Sequence, residues 1–298
     1  MRERLPHAYL FHGPEHGGKL TIATTLAQSF FCPDAKQNDI RSVCGICASC
    51  RAIAEMRHPN VIVLDTEHTL VSKKETRKEI PIEDIRELKR IFSFAPVAGE
   101  WRLAIINEAD KMNEEAASAF LKLLEEPGAN TLFILIAAHK DLLLPTIVSR
   151  VSPLGFLTVS DATLERVLDA KHIAQNARKD IQVLAAGRPG ILLQLCEPSN
   201  ARATDDKKIS QNIQNIVRAR DMVSALRISE QSSQDKDIRE KIIHWLAGML
   251  RADLKNEIPG AAALAAAKLT RIDHIAHLID STNVNPRLAM DVMFLECM

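Results

Sequence analysis

The chain has 298 residues, 46% hydrophobic and 26% charged, enough for two or three globular domains with sizeable cores. Its 38 basic residues balance 38 acidic ones, so no overall basic field points to nucleic acid, and only local patches could serve it. No run approaches the roughly 18 apolar residues of a membrane span, and no secretory cleavage pattern follows MRERLPHAYLFHG, so the expected location is cytoplasmic, with no membrane partner.

Residues 8–11 (AYLF) predict a strand that runs into Gly13-Pro-Glu-His-Gly-Gly18-Lys19-Leu20. Ile22, Ala23, Leu26, Ala27 and Phe30 then mark an amphipathic helix. Strand, glycine loop and helix make a P-loop context. There, backbone N–H groups cradle phosphates, a lysine reaches the outer phosphates and a hydroxyl holds magnesium. Gly13, Gly18 and Lys19 are the candidate nucleotide-binding residues. Leu20 occupies the hydroxyl position and cannot ligate a metal, and Thr21 lies about a quarter-turn further round the helix. His16 stands where a second glycine often relaxes the loop. The plainer alternative is a glycine-rich turn without a ligand.

Cys32 is followed by Cys44-Gly-Ile-Cys47-Ala-Ser-Cys50. Four thiolates can close a tetrahedral zinc site, and two-residue gaps let neighbouring cysteines converge on one ion. With no open position such a site is structural. Inert thiols, the last three sharing a helical face, are the alternative. Cys196 and Cys297 read as small core residues.

Residues 61–64 predict another strand, and the polar segment 67–79, with Lys73, Lys74, Arg77 and Lys78, reads as a solvated loop. Pro81 opens a helix with Ile85, Leu88, Ile91 and Phe92 on one side and Arg86, Lys89 and Arg90 on the more polar one. Next comes a βαβ unit, which requires a parallel sheet. Its strands are residues 103–106 and 131–138; between them lies a helix capped by Asn113, with Ala117, Phe120, Leu121 and Leu124 on its apolar face. At the first strand's end, Asn107-Glu108-Ala109-Asp110 stands where P-loop enzymes place an acidic metal-binding and water-activating pair. Asn107 is a poor magnesium ligand, Glu108 remains as a candidate, and Ala137-Ala138 offer nothing to orient a water. Ser149-Arg150 closes the unit. An arginine at a domain edge can reach a neighbour's nucleotide, although a surface ion pair is the default for a Ser-Arg dipeptide.

Around residues 153–160 the βα pattern stops. Ser160 or Asp161 caps a helix carrying Leu164, Val167 and Leu168; Ile181, Val183, Leu184 and Ala185 mark a second that ends at Gly187; Arg188-Pro189-Gly190 opens a third. Residues 199–208 read as a linker. The last third carries three stripes: Ile238, Ile242, Trp245, Leu246 and Met249; Ile272, Ile275, Ala276 and Ile279; Leu288, Val292 and Leu295. They predict antiparallel helical packing with the stripes as core, and Asn285-Pro286 starts the last helix.

Together these residues resemble the bacterial DNA polymerase III delta-prime family, in the clamp-loader branch of the AAA+ proteins. The match spans nearly the whole chain. It rests most specifically on residues 119–127 (AFLKLLEEP), 146–150 (TIVSR), the cysteine cluster, 187–190 (GRPG) and 283–288 (NVNPRL). The resemblance implies an α/β fold: a P-loop AAA+ parallel-sheet domain over 1–154 with a zinc module at about 32–50, a three-helix lid over 155–202, and an all-helical collar over 203–298 for oligomerisation. It also implies a five-subunit ring with gamma/tau and delta subunits that loads a sliding clamp onto primed DNA. Members of this family typically do not hydrolyse ATP but lend a neighbour the arginine of a Ser-Arg-Cys motif. Those positions here are Ser149, Arg150 and Val151, so the cysteine is missing.

On this reading Arg150 is an arginine finger in trans, and Cys32, Cys44, Cys47 and Cys50 hold structural zinc. Gly13, Gly18, Lys19, Glu108 and the lid arginine Arg188 are vestiges of a site that binds no ATP. Leu20, Asn107 and Ala137-Ala138 depart from the active pattern. The short stretch before the first strand leaves out the segment that covers adenine, and the gap from Cys32 to Cys44 is longer than the family's usual one. The alternatives are an ATP-hydrolysing gamma/tau-type subunit, in which Thr21 and Glu108 compensate, and a zinc-stabilised interaction module outside replication.

Overall fold

The structure, a computed structural model, describes residues 5–36, 40–71, 78–94, 101–173, 185–196, 221–254, 261–281 and 284–297, and positions 178, 181, 182, 213, 216 and 217. Lys73, Lys74, Arg77, Val183, Leu184, Asn283 and the linker residues 199–208 lie outside the described residues. The chain divides into two units, Met1–Leu157 and Thr158–Met298.

The first unit is a five-stranded parallel sheet in the order β2-β3-β4-β1-β5, built from β1 (Ala8–His12), β2 (Val61–Leu64), β3 (Arg102–Ile106), β4 (Thr131–Ala137) and β5 (Ser152–Gly155). Every residue of β3 and β4 is buried, as their unbroken apolar runs require of strands covered on both faces. Period-two alternation sorts them into two cores. Leu10, Ala104, Ile106, Phe133 and Leu135 face α3 (Ile82–Ser93), α4 (Glu114–Glu125) and α5 (Pro145–Val148) through Leu88, Phe120, Leu124 and Ile147. Phe11, Leu103, Ile105, Ile134 and Ile136 face α1 (Lys19–Phe31) and α2 (Ala48–Ala54) through Ala23, Ala27 and Ile53. The α4 cap forms as its sequence predicts, the Asn113 Oδ1 accepting from the Ala116 N–H at 2.8 Å.

The fifth strand corrects the expectation that the βα pattern ends at residue 153. Ser152–Gly155 pairs with β1 in the register Leu10↔Pro153. It has no apolar signature because it is an edge strand whose Pro153, Leu154 and Gly155 are exposed, and proline is confined to such edges. The order sets β1 between β4 and the edge strand β5. The chain leaves β1 toward β2 at the far edge and leaves β4 toward β5 on the other side, so connections diverge beside the β1–α1 loop. In an open α/β sheet, ligands bind at the carboxyl ends of the strands at that point.

In the second unit, α6 (Asp161–Ala170) and α7 (Pro189–Cys196) close a small core of Leu164, Leu168, Ala185 and Leu192. Ser160 precedes α6, but its hydroxyl meets Thr163 Oγ1 at 3.0 Å rather than a helix N–H. Gly187 has φ +76°, and a Cβ there would lie 2.6 Å from Thr158 Cβ, so glycine is required twice over. A separate core joins α8 (Met222–Ser232), α9 (Lys236–Asp253), α10 (Ala261–Ser281) and α11 (Pro286–Cys297). The first two predicted stripes supply it through Ile242, Trp245, Leu246, Ile272 and Ile279.

The third stripe does not. Leu288 is 63% exposed, and Val292 and Leu295 are exposed with it, whereas Ala289, Met290, Met293, Phe294 and Cys297 are buried. Helix α11 is apolar on two faces, and the bulkier methionine and phenylalanine face fills the core.

Candidate functional site

The β1–α1 loop turns on two glycines. Gly18, at φ +86°, starts α1. Gly13 has φ +138°, and a Cβ there would sit 2.1 Å from the Phe156 carbonyl oxygen, so only glycine lets these backbones approach. Lys19, 6% exposed, is folded back on the loop. Its Nζ donates to the carbonyls of Gly13 at 2.6 Å and Pro14 at 2.7 Å. Burial pushes its ammonium below the ordinary lysine range, opposed by Glu15 and Asp110. Leu20 packs against the apolar cluster of Phe11 and Ala23, and Thr21 is exposed.

At the end of β3 the acidic residues are also engaged. Glu108 has φ +55°, its Oε2 accepts from Thr66 Oγ1 at 2.5 Å, and its Oε1 accepts from Lys111 Nζ at 2.5 Å. Burial alone would raise its pKa, but the hydrogen bonds from Lys111 and Thr66 more than offset that and hold the carboxyl below the usual range. Asp110 Oδ2 accepts from the backbone N–H groups of Ala138 at 2.9 Å and His139 at 3.2 Å, tying the loop after β3 to the end of β4. Gly13, Gly18, Lys19 and Glu108 thus belong to the carboxyl end of one sheet. Arg188 belongs to the second unit, 2% exposed, with its Nε donating to the Ala185 carbonyl at 3.3 Å.

The cysteines converge. The sulfurs of Cys32, Cys44, Cys47 and Cys50 all lie within 4.8 Å of one another, close enough to hold one metal ion. Cys32 and Cys44 Sγ are 3.6 Å apart. Tetrahedral zinc with Zn–S bonds of about 2.3 Å sets its sulfurs about 3.8 Å apart, so the donors fit. Gly45, at φ +70°, turns the chain so that the Cys47 N–H points at Cys44 Sγ, and the Cys50 N–H at Cys47 Sγ, each at 3.4 Å. Four thiols this close cannot all ionise without a cation. Accordingly the Cys44 N–H brings Cys32 down to about 7, while burial pushes Cys50 up to about 12. Gln28 of α1 donates to the Cys50 carbonyl at 2.9 Å, and the Cys32 N–H closes α1 on Gln28, so the cluster staples α1 to α2.

Arg150 stands just past α5, its side chain 38% exposed. Nη2 pairs with Glu125 Oε1 at 2.9 Å, and Nη1 donates to the Thr146 carbonyl at 3.0 Å and to Ser149 Oγ at 3.3 Å. The sequence reading named neither Glu125, Asp110 nor Thr66 as a partner. Only the repeated carboxylates of Leu-Glu-Glu-Pro at the end of α4 hinted at the first.

A sequence profile described as DNA polymerase III, delta subunit, matches residues 1–160, more than half of the chain. The DNA polymerase III subunit delta' of Bacillus subtilis is 34% identical over 164 residues, 55% of this chain and 46% of that protein, so the match spans less than half of its length. The subunit delta' of Pseudomonas aeruginosa is 27% identical over 299 residues, covering 99% of this chain and 85% of its own. The subunit tau of Salmonella typhimurium is 31% identical over 212 residues, 70% of this chain and 31% of that protein. With the profile over its sheet unit and a delta' relative matching along its length, the chain belongs to the DNA polymerase III delta-prime subunit family.

Proposed function

We propose that this chain is a non-hydrolysing delta-prime subunit of a cytoplasmic DNA polymerase III clamp loader, which helps place a sliding clamp on primed DNA. It binds no ATP of its own and offers Arg150 to the nucleotide of an adjacent gamma/tau-type subunit. One observation carries the reading: the two positions that would ligate magnesium hold an aliphatic side chain packed against the sheet core, Leu20, and a neutral amide, Asn107. The internal partners of Lys19, Glu108 and Asp110 support it, because each charge has a protein partner in its own unit. Arg150 is also partnered within its unit, but through an exposed pair with Glu125 that is cheap to rearrange, and an arginine supplied in trans is worth about 10³–10⁵ in phosphoryl-transfer rate.

The stripe of Leu288, Val292 and Leu295 supports assembly through the last helix, since adjoining exposed apolar side chains mark association surfaces. We assign zinc to Cys32, Cys44, Cys47 and Cys50; it would supply a structural crosslink there, with all four donors taken and none left for chemistry.

The retained Lys19 and Glu108 and the 31% identity to tau favour, as second reading, a hydrolysing gamma/tau-type subunit. Equilibrium binding and turnover of Mg-ATP by the isolated chain separates the two. The delta-prime reading expects neither at micromolar nucleotide; micromolar affinity with steady turnover would replace it with the other.

A further inference from the structure

Arg150 is gripped from two elements. Glu125 is the last residue of α4, a helix fixed by its Asn113 cap and by buried Phe120, Leu123 and Leu124. Arg150 follows α5, fixed by Ile147, which is fully buried, and by buried Val151. With both backbones anchored, the ion pair orders only two side chains. Its position also suits a cation, because the α4 carboxyl terminus adds its helix dipole to the Glu125 charge. A guanidinium has five N–H donors. Contacts to Glu125, Thr146 and Ser149 use Nη1 and one side of Nη2, and leave donors on Nε and Nη2 over for an oxyanion.

We propose that Glu125 is a positioning residue for Arg150: it holds the guanidinium in a single orientation while its remaining donors meet the neighbour's phosphates. This rests on the reading of Arg150 as a finger in trans. Two opposed effects decide its sign. Glu125 competes with phosphate for the guanidinium, and it removes rotational freedom that a long arginine otherwise loses on engagement. Competition is weak, because the pair is solvent-exposed on both sides and a polyphosphate carries more charge than one carboxylate. Pre-organisation therefore wins.

The test compares complete reconstituted rings carrying wild-type, Glu125→Gln, Arg150→Ala or doubly substituted chains in DNA-stimulated ATP hydrolysis. Glu125→Gln is expected to lower kcat about two- to five-fold, the worth of an exposed ion pair, with KM for ATP unchanged and the chain melting at the wild-type temperature. In the Arg150→Ala background it is expected to change nothing further, because Glu125 acts through Arg150. A Glu125→Gln ring at or above the wild-type rate overturns the proposal, as does an equal fall in the Arg150→Ala background or a fall confined to KM. An Arg150→Ala ring at the wild-type rate removes the finger itself, and the positioning role with it. That outcome is told apart by the single Arg150 substitution alone.

Discussion

Two cations of the first unit invite comparison. Lys19, in the glycine loop, is buried and donates to two carbonyls of that loop, where an active P-loop lysine would reach phosphate. Arg150, past the end of α5, is exposed and held by one carboxylate and two neutral oxygens. Moving Lys19 onto a ligand strips hydrogen bonds from a desolvated ammonium, which is expensive. Moving Arg150 costs an exposed ion pair, about 0.2–1 kcal/mol, and two exposed hydrogen bonds that water can replace. On the proposed function, the P-loop fold keeps its architecture while the usable positive charge passes from the glycine loop to the rim.

The largest effects on that contrast come from breaking the backbone supports of either cation. Gly13→Ala drives a methyl into the Phe156 carbonyl at a φ few side chains adopt, and is expected to cost roughly 3 kcal/mol of the sheet unit's stability in denaturant titration. Ile147→Ala removes the buried anchor beneath Arg150 and should cost about 2–4 kcal/mol in the same titration. A Gly13→Ala chain as stable as wild type would show that the loop and β5 do not need this close approach.

A step smaller is the effect of metal on the four clustered cysteines. Zinc at one hundred times its dissociation constant should stabilise the chain by about 2.7 kcal/mol, measured as a melting shift that a chelator reverses. Cys47→Ser should abolish most of the shift. A melting curve indifferent to zinc and chelator would return the cysteines to being thiols packed between α1 and α2.

The smallest effect concerns Glu108. Its folded pKa is depressed, so its contribution is fully present above the unfolded carboxylate value, near 4.3, and is lost as pH falls through the folded value. With both partners of the Glu108–Lys111 pair partly exposed, that contribution is well under about 1 kcal/mol. Glu108→Gln should flatten the acid limb of stability against pH by this amount. An unchanged acid limb would mean that Thr66 and Lys111 hold the glutamine as well.

How much of this was legible in the sequence follows from the range of the interactions. Apolar runs announce β3 and β4 because the sheet is covered on both faces, and the Asn113 cap is a three-residue signal. The edge strand β5 is invisible because Pro153 and two exposed residues carry no pattern. In α11 both faces were apolar, so composition could not say which one the core would take. The site divides the same way. Leu20 and Asn107 can be read as missing ligands from residue type alone. That Asp110 bonds the Ala138 and His139 N–H groups, and that Glu125 meets Arg150, depends on helices and strands packing side by side.

The central claim, that the working cation lies at the rim and not in the loop, is tested most directly in reconstituted rings by single-turnover hydrolysis at the nucleotide site adjoining this chain. Arg150→Ala is predicted to slow that step by about 10³-fold or more, while Lys19→Met leaves it within about two-fold. An undiminished rate with Arg150→Ala, or a comparable loss with Lys19→Met, would contradict the account.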